Sequence, residues 1–341
     1  MESEAKNIGE EPTNGVKEIT FNNWRDFVQW LTQDPDGKDY YWRGVKDAKY
    51  HLVPSIYRKE NGNLEKYGLN EAKTLRYFCS LAKSRVQICS SWEEPQDATD
   101  LGLEATFKWW CLAQHLEIPT PLLDWTCYAF VALFFSIEDI HKDKKFPHIV
   151  SVYGIKKAMA NSQNEIDVLC DIGIINPIYK YIHFISGTDH IEKRIFAQCG
   201  VFSFINKYTE NIDECHKDKY YDIKKVIKIH SDPDEKILTQ CNIHFRDKQD
   251  ALECRFFLAH AGITKANLYP DMIGIKHDIA FRIENDFYVG STSGFSFTEF
   301  ESKFNFSVNR KLAEALSYDS LSAISKKAYT VTPEKCTSNK P

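Results

Sequence analysis

The chain has 341 residues, of which 43% are hydrophobic and 13% aromatic, so it can bury a sizeable core instead of remaining disordered. Its net charge of -5 argues against a sequence-blind nucleic-acid binder, which needs a basic excess to neutralise phosphates. The longest apolar run, Cys127 to Phe135, falls well short of the roughly 20 residues that span a bilayer.

The N-terminus, Met1 to Lys17, is polar and lacks the apolar core of a signal peptide, which together with the short apolar runs predicts a cytoplasmic protein. Residues 1–17 read as a flexible tail. Trp24, Phe27, Val28 and Leu31 then share one face of a helix that starts at Asn22 or Asn23 and runs to Gln33. Asp34-Pro35-Asp36-Gly37 is a turn. Asp39 to Arg43 is rich in aromatics and reads as a strand that Gly44 ends.

Helical spacing returns between Leu64 and Trp92, through Leu69, Ala72, Leu75, Phe78 and Cys79. A second helix spans about Leu101 to His115, with Gln114 at the C-terminal end of its apolar stripe, and Pro119 and Pro121 stop it. Leu122 to Trp125 is a short extended piece. Asp124 or Thr126 can cap the helix that follows, whose stripe includes Ala132, Leu133, Ser136 and Ile137. Pro147 to Tyr153, Val201 to Ile205 and Lys224 to His230 read as strands. Asp189 to Gln198 reads as a helix closed by Gly200, and Lys248 to Ala261 as one closed by Gly262. Pro270 suits the first turn of a further helix. Strands and helices alternate irregularly, which predicts an α+β fold. Its mixed or mainly antiparallel sheet is decorated by helices in a single large domain over residues 18–329, with a C-terminal helical extension and a second flexible tail at 330–341.

The ten cysteines are scattered, with no Cys-x-x-Cys pair, and read as reduced thiols. Cys241, His244, Cys254 and His260 match no zinc-module spacing, so no metal site is expected.

Four segments carry groups capable of chemistry. In Tyr41-Trp42-Arg43-Gly44 a cation ends a strand beside a glycine. The arginine either binds phosphate or carboxylate with its planar fork, or forms a structural ion pair in a turn. In the second segment, Ala113-Gln114-His115 and Pro119 to Thr126 bracket an apolar strand with polar groups. Asp124 faces away from Leu123 and Trp125; in an apolar setting it would be a general acid or base. The alternative makes Asp124 and Thr126 helix caps and His115 a last-turn residue facing the helix dipole. Gln198, at a helix–glycine–strand junction, either orients a ligand or serves the junction. Asp271 follows Pro270 at a helix start, where an acid is ordinary.

Taken in order, these segments resemble the FRG family, named for a Phe/Tyr-Arg-Gly motif. The resemblance lies in Trp42-Arg43-Gly44, in Ala113-Gln114-His115 with Pro119 to Thr126, and in Ala132-Leu133-Phe134-Phe135-Ser136. It extends to the segments around Gln198 and Gly262 to Gly274, about residues 38 to 280 in all. Where the family has an arginine after Pro-Thr, this chain has Pro121, so a role resting on that arginine is lost or rerouted.

The resemblance implies a bacterial defence or toxin-like effector. Through a distant likeness of Trp42-Arg43-Gly44 and Phe134-Phe135-Ser136 to ADP-ribosyltransferase motifs, it also implies NAD as a substrate. On that reading Asp124, His115 and Arg43 are catalytic, and Trp42, Arg43, Gly44, Thr126, Phe135 and Gln198 bind NAD. Arg43 holds the pyrophosphate, Trp42 or Phe135 stacks on a ring, and the acid is Asp124, Asp271 or Glu253. Two other readings stay open. One is a non-catalytic sensor or adaptor in which Arg43 reads an anionic ligand or partner; the other is a nuclease using Asp124, His115 and Arg43. The acceptor or partner macromolecule is not specified by the sequence, and neither membrane association nor general nucleic-acid binding is expected.

Overall fold

The computed structural model describes residues 15–33, 40–58, 71–86, 92, 93, 95, 104–140, 145–157, 182–186, 193–205, 222–231 and 234–285. Strands β1 (Gly15–Phe21), β2 (Tyr40–Val45), β3 (Leu123–Thr126), β4 (His148–Lys156), β5 (Ile182–Ser186), β6 (Gly200–Ile205) and β7 (Lys236–Phe245) join in one sheet of order β1-β7-β4-β2-β3-β6-β5. Among the described residues only β1 and β7 pair in parallel, and the other ladders are antiparallel. This is the mixed, mainly antiparallel sheet of the expected α+β class.

The helices are α1 (Trp24–Gln33), α2 (Glu71–Arg85), α3 (Glu104–His115), α4 (Ala129–Ile137), α5 (Lys193–Ala197), α6 (Ile223–His230), α7 (Lys248–His260), α8 (Lys265–Leu268) and α9 (Met272–Glu284). Several of them cover the sheet with the side chains that helical spacing brings to one face. Trp24 and Phe27 of α1, Phe134 of α4 and Phe257 of α7 bury against Trp42, Val150 and Ile243. Ile223, Val226 and Ile227 of α6 pack with Ile155 and Leu238. Leu75 of α2 and Trp109 and Trp110 of α3 close over Phe202 and Phe204 of β6. Among the described residues no helix is long and apolar enough to cross a membrane.

Several expectations are corrected. Strand β1 begins at Gly15, so residues 15–17 pair with β7 instead of belonging to a tail. Residues 1–14, the expected turn at 34–37 and residues 286–341 with the expected C-terminal extension and tail lie outside the described residues, as do 64–70 and 87–91 of the expected 64–92 helix and 189–192 of the expected 189–198 helix. The segment 224–230 is helical, not extended. Its buried branched residues, Ile223, Val226 and Ile227, share one helix face while Ile229 is exposed, and Asp222 caps it by accepting from the Lys224 N–H. Strands β5 and β7 were not anticipated. Gly200 opens β6, and the left-handed backbone before it belongs to Cys199, at φ 46°. Gly262, by contrast, does take positive φ at the end of α7.

Gly44 lies inside β2 instead of ending it. A β-carbon there would stand 1.8 Å from the Ala132 carbonyl oxygen and 2.8 Å from the Ser136 nitrogen. Glycine is required because the α4 backbone rests directly on the strand. That contact fixes the level of α4, and with it Phe135, relative to Arg43. The cap of α4 also differs from expectation: Tyr128 is its N-cap residue and offers no side-chain bond, while Thr126 Oγ1 accepts from the Tyr128 N–H at 3.2 Å.

Candidate functional site

Strands β2 and β3 are bridged at Trp42 and Thr126. Arg43 to Val45 and Asp124 to Trp125, the residues next to that bridge, line a cavity of about 1060 Å³. All eight anticipated residues border it: Trp42, Arg43, Gly44, His115, Asp124, Thr126, Phe135 and Gln198. Arg43 and Asp124, 81 apart in sequence, meet here because an antiparallel pair places their strands side by side.

Arg43 donates from Nη1 to the Asp124 backbone oxygen at 2.6 Å, and the same nitrogen is 3.7 Å from Asp124 Oδ2. Its Nε is buried without a hydrogen-bond partner among the described residues. Burial lowers the Arg43 pKa to about 10, despite the support of Asp124, so the group remains a cation near neutrality. The side chain of Asp124 is 57% exposed. Its surroundings are therefore polar, not the apolar setting considered from the sequence. Oδ1 accepts from Gln114 Nε2 at 2.5 Å. The Gln114 carbonyl oxygen accepts in turn from the Thr120 hydroxyl. An amide is suited to this bridge because it donates at one end and accepts at the other. Gln114 thus holds the carboxylate to the loop before β3, a role beyond its place in the Ala113-Gln114-His115 segment and on the helix stripe.

Arg58 was also missed. It follows a 3-10 turn, Ser55–Tyr57, that is tied to the same loop: Ile56 N–H donates to the Thr120 carbonyl at 3.1 Å and Thr120 N–H to Ser55 Oγ at 2.9 Å. Arg58 is an exposed residue; partial desolvation beside the cavity lowers its pKa and the Asp124 carboxylate raises it. Nothing in its local sequence pattern signals the site, since only the fold brings it near Asp124. Pro121, where the resemblance expects an arginine, is buried. The cations that act electrostatically on Asp124 here are Arg43 and Arg58.

The opposite wall is aromatic. Phe135 meets Tyr269 edge-on at 6.2 Å, and Arg194 lies 4.9 Å from the Tyr269 ring centre. Thr126 donates to the Gln198 carbonyl at 2.7 Å, and the Gln198 amide to the Leu268 carbonyl at 3.0 Å. Those bonds knit the wall together, and the Gln198 side-chain amide keeps its oxygen and one N–H for a ligand. Trp42 is corrected as a stacking residue: its ring is 1% exposed and packs on Gly154 and the α4 side of the sheet. His115 ends α3 on the cavity rim.

Of the three acids considered, Asp124 is the one that lines the cavity. Asp271 caps α9 and pairs with Arg194 at 2.6 Å, while Glu253 pairs with Arg25 at 2.5 Å. Among the described residues no group of three His, Cys, Asp or Glu side chains is arranged to hold a metal. Cys241 and Cys254 are buried in the apolar core.

A family model described as FRG domain matches residues 38–145. Over that stretch the chain is similar to an FRG domain. The match runs from β2 through α4 and so contains Arg43, Gln114, His115 and Asp124. It ends before Gln198 and the 262–274 segment, which rest on the resemblance alone. No curated protein and no solved structure matches the chain.

Proposed function

We propose that the cavity of this FRG-like domain binds NAD⁺ as a substrate and breaks its nicotinamide–ribose bond, in the manner of an ADP-ribosyltransferase or NAD glycohydrolase. The observation that carries this reading is the meeting of Arg43 and Asp124 at 3.7 Å on the wall of a cavity of about 1060 Å³. That volume is at the upper end of ordinary small-molecule pockets, which span roughly 300–1,000 Å³. Six lysines and arginines against four carboxylates line it, in a chain of net charge -5, so the cavity favours an anionic ligand.

In this reading Arg43 holds the pyrophosphate and the Phe135–Tyr269 wall receives a ring. Heterolysis of the ribose–nitrogen bond sends its electron pair to the nicotinamide nitrogen and leaves positive charge on the ribose. Asp124, already fixed by Gln114 and Arg43, faces that charge without reorganising. Water or an acceptor nucleophile adds to the ribose carbon, and its proton passes to Asp124 or His115. A defence or toxin-like effector role is the wider context we propose for this chemistry.

The test is incubation of the purified chain with NAD⁺ while free nicotinamide is followed by chromatography, with Arg43→Ala and Asp124→Ala in parallel. Release that depends on both residues is expected. Absence of both release and NAD⁺ binding overturns the reading. A second reading, an anion-binding module without turnover, is favoured by the buried Pro121 in place of an arginine. It predicts NAD⁺ binding with no nicotinamide released.

A further inference from the structure

We infer that Arg43 and Arg58 together form a two-point site for a diphosphate, so that the cavity selects diphosphate-bridged nucleotides over nucleoside monophosphates. The inference rests on the reading above for the kind of ligand, but it concerns binding alone.

Both arginines are held at one end and unspent at the other. Arg58 donates from Nε to the Val53 carbonyl at 3.0 Å. Its two Nη groups make no hydrogen bond among the described residues. Arg43 spends Nη1 on the Asp124 carbonyl at 2.6 Å, while its buried Nε and its Nη2 have no hydrogen-bond partner among the described residues. A buried guanidinium nitrogen left unpaired is costly in a ligand-free protein, and such groups call for an explanation.

The two guanidinium groups are near enough to repel one another, and Asp124 attracts both. One carboxylate thus stands against two cations. Two of the other cations on the wall already have carboxylate partners: Lys46 pairs with Asp139 at 2.8 Å and Arg194 with Asp271 at 2.6 Å. Arg43 and Arg58 share the single Asp124 carboxylate and so leave positive charge between them uncompensated. An anion with two or more charges distributed over two centres compensates it better than a single phosphate. Planar forks also match paired phosphoryl oxygens, which an ammonium does not. The tie between the Ser55–Tyr57 turn and Thr120 holds Arg58 in register with the loop that carries Asp124, so the separation of the two arginines is set by the fold.

The experiment is calorimetric titration of the full chain with ADP-ribose and with AMP, for the wild type, Arg58→Gln and Arg58→Lys. The wild type is expected to bind ADP-ribose at least about tenfold more tightly than AMP, the scale of one charge-assisted contact. Arg58→Gln should lose about tenfold or more in ADP-ribose affinity and change AMP affinity by less than about threefold. Arg58→Lys should fall between, since it keeps the charge and loses the fork. Unchanged ADP-ribose binding in Arg58→Gln overturns the inference, as does equal binding of AMP and ADP-ribose, or of neither, by the wild type. Nicotinamide release is a separate readout. Arg58-dependent ADP-ribose binding without release would overturn the enzymatic reading and leave the diphosphate site standing.

Discussion

Arg43 is anchored to Asp124 through the backbone: its Nη1 donates to the Asp124 carbonyl at 2.6 Å and stands 3.7 Å from the carboxylate. The carboxylate is held by a different residue, Gln114, at 2.5 Å. Position and charge at this site are therefore separable, because a change in the Asp124 side chain leaves the Arg43 anchor in place.

Asp124→Asn keeps the carbonyl for Arg43 and an acceptor oxygen for Gln114, and removes only the negative charge. If Asp124 stabilises developing positive charge, nicotinamide release should fall by about 100-fold, the scale of losing one preorganised electrostatic contact. Affinity for ADP-ribose should hold or rise. Single-turnover kinetics alongside calorimetry reads both, and an unchanged rate would remove Asp124 from the chemistry.

Gly44→Ala places a methyl 1.8 Å from the Ala132 carbonyl, so β2 and α4 must part. Backbone rather than a flexible side chain stands in the way. Overpacking of this kind costs about 1–3 kcal/mol. The urea midpoint should fall accordingly with little change in slope. A variant as stable as the wild type would show that the strand–helix contact is looser than described.

Asp271 accepts from the Gly274 N–H at 2.8 Å as the cap of α9, and from Arg194 at 2.6 Å. The Gly274 amide, and after it Arg194, holds its carboxyl below the usual value. A carboxyl whose pKa is lower folded than unfolded adds stability above its unfolded value, about 3.9, and loses it as pH falls through the folded one. Asp271→Asn still caps the helix. It should flatten the acid limb of the stability profile below about pH 4 relative to the wild type. Urea midpoints measured across the acid range check this, and superimposable acid limbs would refute it.

Much of the architecture was legible in the order of residues. The face of α1 at Trp24, Phe27 and Val28 followed from helical spacing, and the stop of α7 from Gly262, because both depend on neighbours within one turn. The mixed sheet followed from irregular alternation. Segment 224–230 did not read correctly: branched residues suit a strand, and only burial against β1 and β7 decides that the 223, 226, 227 face is the one used. Residues 15–17, the start of β1, read as tail because their pairing partners on β7 lie more than 200 residues away.

The candidate site divides in the same way. Arg43, His115 and Asp124 could be named from their local motifs, since a cation or carboxylate next to a strand end is visible in one dimension. Which of them meet, and what else joins them, is decided by tertiary contacts. Trp42 lies next to Arg43 in sequence but points its ring into the core, because the pleat alternates. Gln114 and Arg58 reach Asp124 through the loop at Thr120, whose hydrogen bonds span 6 and 65 positions of sequence. The sequence by itself determined the chemical groups on offer. Their assembly into one charged cavity belongs to the sheet and its helices, because hydrogen bonds and ion pairs act over a few ångströms whatever the separation along the chain.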